Sequence, residues 1–252
     1  MDPSARRCLA PQRRDQSSRS GEVGVQGVEA CRKQRSRGGV SPKEVELKYL
    51  VTPEAQAAVL PPPLPNSWSY AHEEPTRELL SDEYLDDDRA QLASLGLSLR
   101  RRVSDRVPAQ HGDPVTTYWL KGREPADGAL HSRLELQLSG LDDPALAAAI
   151  AERGGAAPAL HIQVLLSQER ASWVVMHDSG AKGTLSIDHV SGSLLGVALS
   201  WDELEVEIHA QEAKATTLAA ELDAALKALP FLAPNPLAKI DRARYLATQA
   251  RG

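Results

Sequence analysis

From Glu44 to Ala210 apolar residues recur at alternate positions in short runs, the period of a strand with one wet face. The runs are Glu44–Lys48, Arg77–Asp86, Leu97–Val103, Thr116–Lys121, Ser132–Leu138, Ile162–Arg170, Ser172–His177, Gly183–Asp188 and Glu203–Ala210. With their turn signals they predict about eight strands. Gly112-Asp113-Pro114 reads as the loop of a hairpin, and residues 61–75, which begin Pro61-Pro62-Pro63, read as an irregular connection. Helices fill the gaps. Thr52-Pro53-Glu54 opens one that runs to Leu60, an acidic cap at Asp86-Asp87-Asp88 precedes one over Arg89–Leu95 that stops at Gly96, and Asp142-Asp143-Pro144 opens one closed by Gly154-Gly155. From Lys214 to Leu229 the period changes, with Leu218, Leu222, Ala225, Leu226 and Leu229 on one side of a helix, and Pro236–Ala250 predicts a terminal helix.

The wet faces of these strands are unusual in carrying charges of both signs. Glu44, Glu46 and Lys48 alternate with Val45 and Leu47, Arg100 and Arg102 follow Leu99, Arg133 and Glu135 flank Leu134, and Glu203, Glu205 and Glu207 alternate with Leu204 and Val206. The apolar faces need cover, and the amphipathic helices need an apolar surface. Both are satisfied by an α+β fold in which an eight-stranded antiparallel β-barrel encloses a charged, water-filled lumen and the helices pack outside it.

Composition bounds this picture. The chain has 252 residues, 42% of them hydrophobic, and no apolar run approaches the roughly 20 residues that span a bilayer. A cytoplasmic protein with no membrane partner is expected. Residues 1–40 hold nine of the 29 Lys and Arg but only four of the 34 Asp and Glu, with few aliphatics, so they predict a disordered basic tail before a single domain over 41–250. Cys8 and Cys31, the two cysteines, both lie in that tail, which argues against a disulfide framework or a cysteine metal site. The tail is read as solvated, and no nucleic-acid partner is expected.

Cations at Lys48, Arg100, Arg102, Lys121, Arg133 and Arg170 can surround a chain of phosphates, the arginines as forks. Glutamates in the same lumen can approach a polyanion only through a cation with a preference for oxygen ligands, which implies Mg²⁺ or Mn²⁺. The seven histidines show no metal-ligand spacing, and His177, His189 and His209 read as surface or strand-end residues. Trp68, Trp119, Trp173 and Trp201 read as packing residues between barrel and helices; Trp119 is the candidate among them for stacking a base.

Glu44-Val45-Glu46-Leu47-Lys48 resembles the ExExK signature of the CYTH family, the triphosphate tunnel metalloenzymes, and the later elements follow in that family's order. Tyr84-Leu85-Asp86, Gly96 to Arg102, Trp119-Leu120-Lys121, Arg133-Leu134-Glu135, Asp188 and Glu203 to Glu207 each resemble a family element. The resemblance implies an eight-stranded tunnel with Glu44, Glu46, Glu135, Asp188, Glu203, Glu205 and Glu207 around Mg²⁺ or Mn²⁺. Lys48, Arg100, Arg102, Lys121, Arg133, Arg170 and Lys239 would contact the phosphates, and Lys48 and Glu46 are the catalytic candidates. Neighbouring cations would favour a neutral, basic Lys48 and the two glutamates oppose it, so Lys48 is read mainly as a phosphate contact. Gln137 and Gln168 depart from the family pattern, which has a second glutamate and a lysine there. The implied activity is metal-dependent hydrolysis of the terminal phosphate of a small triphosphate, inorganic triphosphate first and thiamine triphosphate after it. A cyclase making cyclic AMP from ATP and a non-catalytic polyphosphate-binding module are the alternatives, and a homodimer is compatible with either.

Overall fold

The computed structural model describes residues 43–53, 61–107, 114–122 and 127–252, without the side chains of 43, 44, 106 and 107. The expected tail, the expected helix after Pro53 and the Gly112-Asp113 turn lie outside the described residues. Eight long strands are antiparallel throughout: β1 (Lys43–Val51), β3 (Thr76–Asp86), β4 (Leu97–Val107), β5 (Val115–Gly122), β6 (Leu130–Leu138), β7 (His161–His177), β8 (Lys182–Leu194) and β9 (Val197–His209). Their order β1-β6-β5-β4-β3-β7-β8-β9 returns to β1 through the β1–β9 pairing, so the eight strands close into a barrel. Two short strands join it from outside that ring: β2 (Trp68–Tyr70) on β7 and β10 (Leu232–Pro234) on β1.

Three expectations are corrected in detail. The runs Ile162–Arg170 and Ser172–His177 are one 17-residue strand, because Ala171 stays paired on both sides, with Arg77 and with Ile187. β8 and β9 extend six residues beyond the alternating charged core toward each other. They meet in a two-residue turn in which Leu195 (φ 54°) and Gly196 (φ 79°) are both left-handed, the backbone of a tight hairpin. Within residues 61–75, expected to be irregular, the Ser67 carbonyl accepts a hydrogen bond from Asp178 N and Trp68 begins β2.

Helices cover the outer face as the pattern requires. In α3 (Glu212–Leu226), Ala215, Leu218, Ala219, Leu222 and Leu226 are buried against Val45, Leu47, Tyr49, Leu204 and Val206, the apolar alternates of β1 and β9. Tyr49 also donates its hydroxyl to Asp223 Oδ1 at 2.5 Å. The short α1 (Gln91–Ser94) and α2 (Pro144–Ala151) cover Leu85, Leu97, Leu99, Leu120 and Leu138 on the other side. Asp86 and Asp87 do cap α1: Asp86 accepts from Leu92 N and Ala93 N, and Asp87 accepts from Gln91 N. The fourth helix, α4 (Lys239–Gln249), lies across one end of the barrel, where Ile240, Ala243 and Ala247 pack on Tyr84, Val164, Leu166, Val190 and Trp201. Those strand residues alternate in phase with the charged ones, so α4 seats on the continuation of the lumen wall and brings Lys239 to its rim.

Candidate functional site

Strand alternation directs the charged faces to one place. A cavity of about 300 Å³ inside the barrel is lined by Glu46 and Lys48 of β1, Arg100 and Arg102 of β4, Trp119 and Lys121 of β5, His131, Arg133 and Glu135 of β6, Arg170 of β7, Glu205 and Glu207 of β9, and Lys239 and Asp241 of α4. Eleven of the expected site residues therefore face one space. Asp188 and Glu203 sit just behind it, fully buried. Glu44 lies on β1 opposite Arg133, and its side chain is outside the described residues.

The side chains form one network of charge-assisted contacts. Lys48 Nζ is 2.5 Å from Glu205 Oε1 and 3.6 Å from Glu46 Oε1, and Arg133 reaches the same Glu46 oxygen at 2.5 Å. Arg170 grips Asp188 with both fork nitrogens, at 2.6 and 2.5 Å, and extends to Glu205 Oε2 at 2.8 Å. Lys239, 4% exposed, pairs with Asp188 at 3.0 Å, Glu205 at 2.9 Å and also Glu203. Lys121 pairs with Glu135. Burial favours the neutral form of every one of these groups, so the pairs decide the charge. Burial alone would lower the Lys48 pKa, but Glu205 and Glu46 outweigh it and hold the ammonium above its ordinary value. Lys239 is likewise raised against its burial, by Glu203, Glu205 and Asp188. Among the acids, burial pushes Glu203 up, whereas Lys239 and Arg170 overcome burial to hold Asp188 down, and Lys239 and Lys48 do the same for Glu205.

Two residues the sequence reading did not single out, Asp82 and His131, belong to the site beside Tyr84 of the Tyr84-Leu85-Asp86 element. Asp82 on β3 is fully buried and takes Arg102 in a two-point fork, at 2.6 and 2.7 Å, with Arg100 at 3.3 Å. His131 faces the cavity opposite Glu46 and bonds Asn235 O through Nε2 at 2.9 Å; burial, then Lys48, lowers its pKa. Tyr84, two positions from Asp82, lines the same wall. Of the two, Asp82 had a legible signal, since the two-residue period puts it on the same strand face as Tyr84 and Asp86. Gln168 donates to Asp82 Oδ2 at 2.5 Å from Nε2, and Gln137 lies opposite Trp119.

The donor set suits a hard divalent cation. Carboxylate oxygens of Asp188, Glu203 and Glu205 lie within 4.8 Å of one another, Glu46, Glu205 and Glu207 line the cavity, and all of these donors are oxygens, as Mg²⁺ and Mn²⁺ prefer. The Lys239 ammonium supplies compensating charge for the deepest three.

The family model of the CYTH domain matches residues 42–242. No curated protein sequence matches the chain. Among solved structures, the PH1819 protein from Pyrococcus horikoshii is 17% identical and superposes with a TM-score of 0.50, covering 78% of this chain and 96% of its own. A Bacillus halodurans protein provisionally named an adenylate cyclase is 21% identical, with a TM-score of 0.46 and coverage of 81% and 98%. A Hippeastrum protein named in the same provisional way as an adenylyl cyclase, and described as having a dominant triphosphatase activity, is 18% identical, with a TM-score of 0.47 and coverage of 80% and 95%.

Proposed function

The chain belongs to the CYTH domain family, and from that premise we propose that its tunnel hydrolyses the terminal phosphate of a small triphosphate, inorganic triphosphate first, with a divalent cation. The observation that carries this reading is a cavity of about 300 Å³ walled by seven Lys and Arg side chains with carboxylates interleaved among them. A space walled by interleaved cations and carboxylates suits a short polyanion together with a divalent cation better than a neutral metabolite.

In this reading Arg100, Arg102, Lys121, Arg133, Arg170 and Lys239 bind the phosphate oxygens, and forked guanidinium donors fix their orientation. Glu46, Glu205 and Glu207 would hold the cation, joined on sequence grounds by Glu44, with Glu135 near them beside Lys121. Asp188 and Glu203, whose carboxylate oxygens lie within 4.8 Å of that of Glu205, would join them while also fixing Arg170 and Lys239. When bound, the cation supplies charge neutralisation along the phosphates and activates the attacking water. Lys48 serves as a fixed positive charge on the phosphates, because the pull of Glu205 and Glu46 that keeps it an ammonium opposes its use as a base. Glu46 is shared by Lys48 and Arg133, so whatever draws its carboxylate away frees both cations toward the substrate.

The test is phosphate release from inorganic triphosphate, ATP and thiamine triphosphate with Mg²⁺ and with Mn²⁺, for the wild type and a Glu46→Gln, Glu205→Gln variant. Metal-dependent release that prefers inorganic triphosphate and is lost in the folded variant is the expected result. Cyclic AMP among the ATP products would replace the hydrolase reading with a cyclase. Tight triphosphate binding without turnover would make the tunnel a binding module.

A further inference from the structure

Asp82 is fully buried on β3 and does not line the cavity, yet it touches two residues that do. Arg100 and Arg102 stand two positions apart on β4, on the same strand face, where two guanidinium groups repel one another. The carboxylate of Asp82 lies opposite Arg102 in the ladder. It accepts from Arg102 Nε at 2.6 Å and NH2 at 2.7 Å and stands 3.3 Å from Arg100 NH1. Gln168, 2% exposed, completes its shell with an amide donor at 2.5 Å, which adds no charge and leaves the carboxylate's field to the two arginines. Each guanidinium carries five N–H donors, so the fork uses one edge of Arg102 and leaves its NH1 donors over. Arg100 is held less fully: its Nε is buried without a hydrogen-bond partner among the described residues, and buried donors are normally paired.

We propose that Asp82 is a positioning residue that holds Arg100 and Arg102 side by side as a preformed receptor for neighbouring phosphate groups. This rests on the triphosphate reading of the cavity. Asp82 itself never meets the substrate. It offsets the repulsion between the two arginines and fixes their rotamers before binding, so less side-chain freedom is lost when a phosphate oxygen arrives.

Two measurements test it. In the ligand-free wild type, nitrogen-15 NMR of arginine Nε–H groups should show Arg102 rigid and slow to exchange, against the exposed Arg77 and Arg89 as mobile references. An Arg102 Nε–H as mobile as those references overturns the proposal, and this arm needs no variant to fold. Calorimetric binding of inorganic triphosphate should weaken about 10-fold or more in Asp82→Asn, and the same change should have no further effect in an Arg100→Gln, Arg102→Gln background. A folded Asp82→Asn that binds like the wild type, or an equal loss in the arginine-free background, would overturn it, since a purely structural role predicts the latter. A wild type that does not bind triphosphate defeats the reading of the cavity instead, and the NMR arm still decides whether Asp82 fixes Arg102.

Discussion

Lys239 is the residue on which the charge balance of the tunnel turns, and Lys239→Met removes its charge at little change in volume. The buried ammonium touches Asp188, Glu203 and Glu205. Removing one partner of a buried ion pair costs about 3–5 kcal/mol, because a charge is left behind without compensation. Here the loss is cushioned. Arg170 keeps Asp188 at 2.6 Å and Glu205 at 2.8 Å, and Lys48 keeps Glu205 at 2.5 Å. Glu203 retains only the neutral donors Trp201 Nε1 at 3.0 Å and Asn235 Nδ2 at 3.5 Å, and burial already raises its pKa, so it becomes protonated rather than stay charged. The lower end, about 3 kcal/mol, is therefore expected, and it corresponds to a Tm lower by about 6–12 °C for a unit of this size. The pH dependence has a definite sign. Asp188 and Glu205 are held below the ordinary carboxylate range in the native state, so their contribution is present above that range and lost as pH falls through it. Much of that depression comes from Lys239, so the gap between wild type and variant should be widest near about pH 7.5 and narrow toward about pH 4.5. Thermal denaturation followed by circular dichroism at both pH values measures it. A loss under about 1 kcal/mol, or a gap that widens on acidification, would refute the argument that Lys239 compensates these acids.

Three further outcomes are expected. Tyr49→Phe should lower stability by about 1.5–3 kcal/mol in denaturant unfolding, since it deletes a hydrogen bond to the carboxylate of Asp223 that ties α3 to β1. Trp119→Ala should leave turnover of inorganic triphosphate near the wild-type value while weakening binding of ATP, if ATP binds at all, by about 5- to 150-fold, the worth of one lost base–aromatic stack. His131, whose pKa burial and Lys48 depress, should titrate below the ordinary histidine range by NMR; its contribution to stability is then present above that range and lost as pH falls through it, a trend that His131→Gln should remove.

Much of the barrel was legible because the two-residue period fixes which residues share a face, and β1, β4, β6 and β9 each carry repeated charges on one of theirs, of both signs on β1 and β6, basic on β4 and acidic on β9. The helices were legible for the complementary reason: the buried stripe of α3 needs an apolar wall, and Leu47, Leu204 and Val206 provide it. Failures came where pairing rather than pattern sets the structure. Nothing in Leu194-Leu195-Gly196-Val197 advertises a turn, since leucine rarely takes a positive φ, and the long ladder between β8 and β9 imposes it. Strand β2 is three residues long and exists because Met176 and its neighbours offer an edge to pair with. Asp82 shows a different limit. Its strand face could be read, but whether a carboxylate on that face meets metal, substrate or arginine depends on which strand lies next to it, and that is a property of the closed ring.

The ion pairs also constrain how the tunnel can bind anything. Seven cations line the cavity, and eight described carboxylates stand on or directly behind its wall, so the lumen is close to self-neutral. A triphosphate entering alone would have to take cations from their carboxylates and leave buried negative charge uncompensated, while a divalent cation entering alone would leave the lysines and arginines in the same state with opposite sign. Each ligand resolves the imbalance created by the other. On the proposed reading their affinities should therefore be coupled, and reciprocally so, because whatever factor one gains from the presence of the other must hold in both directions. The coupling should be strongest at Glu46 and Glu205, which line the cavity and are each shared between two or more cations.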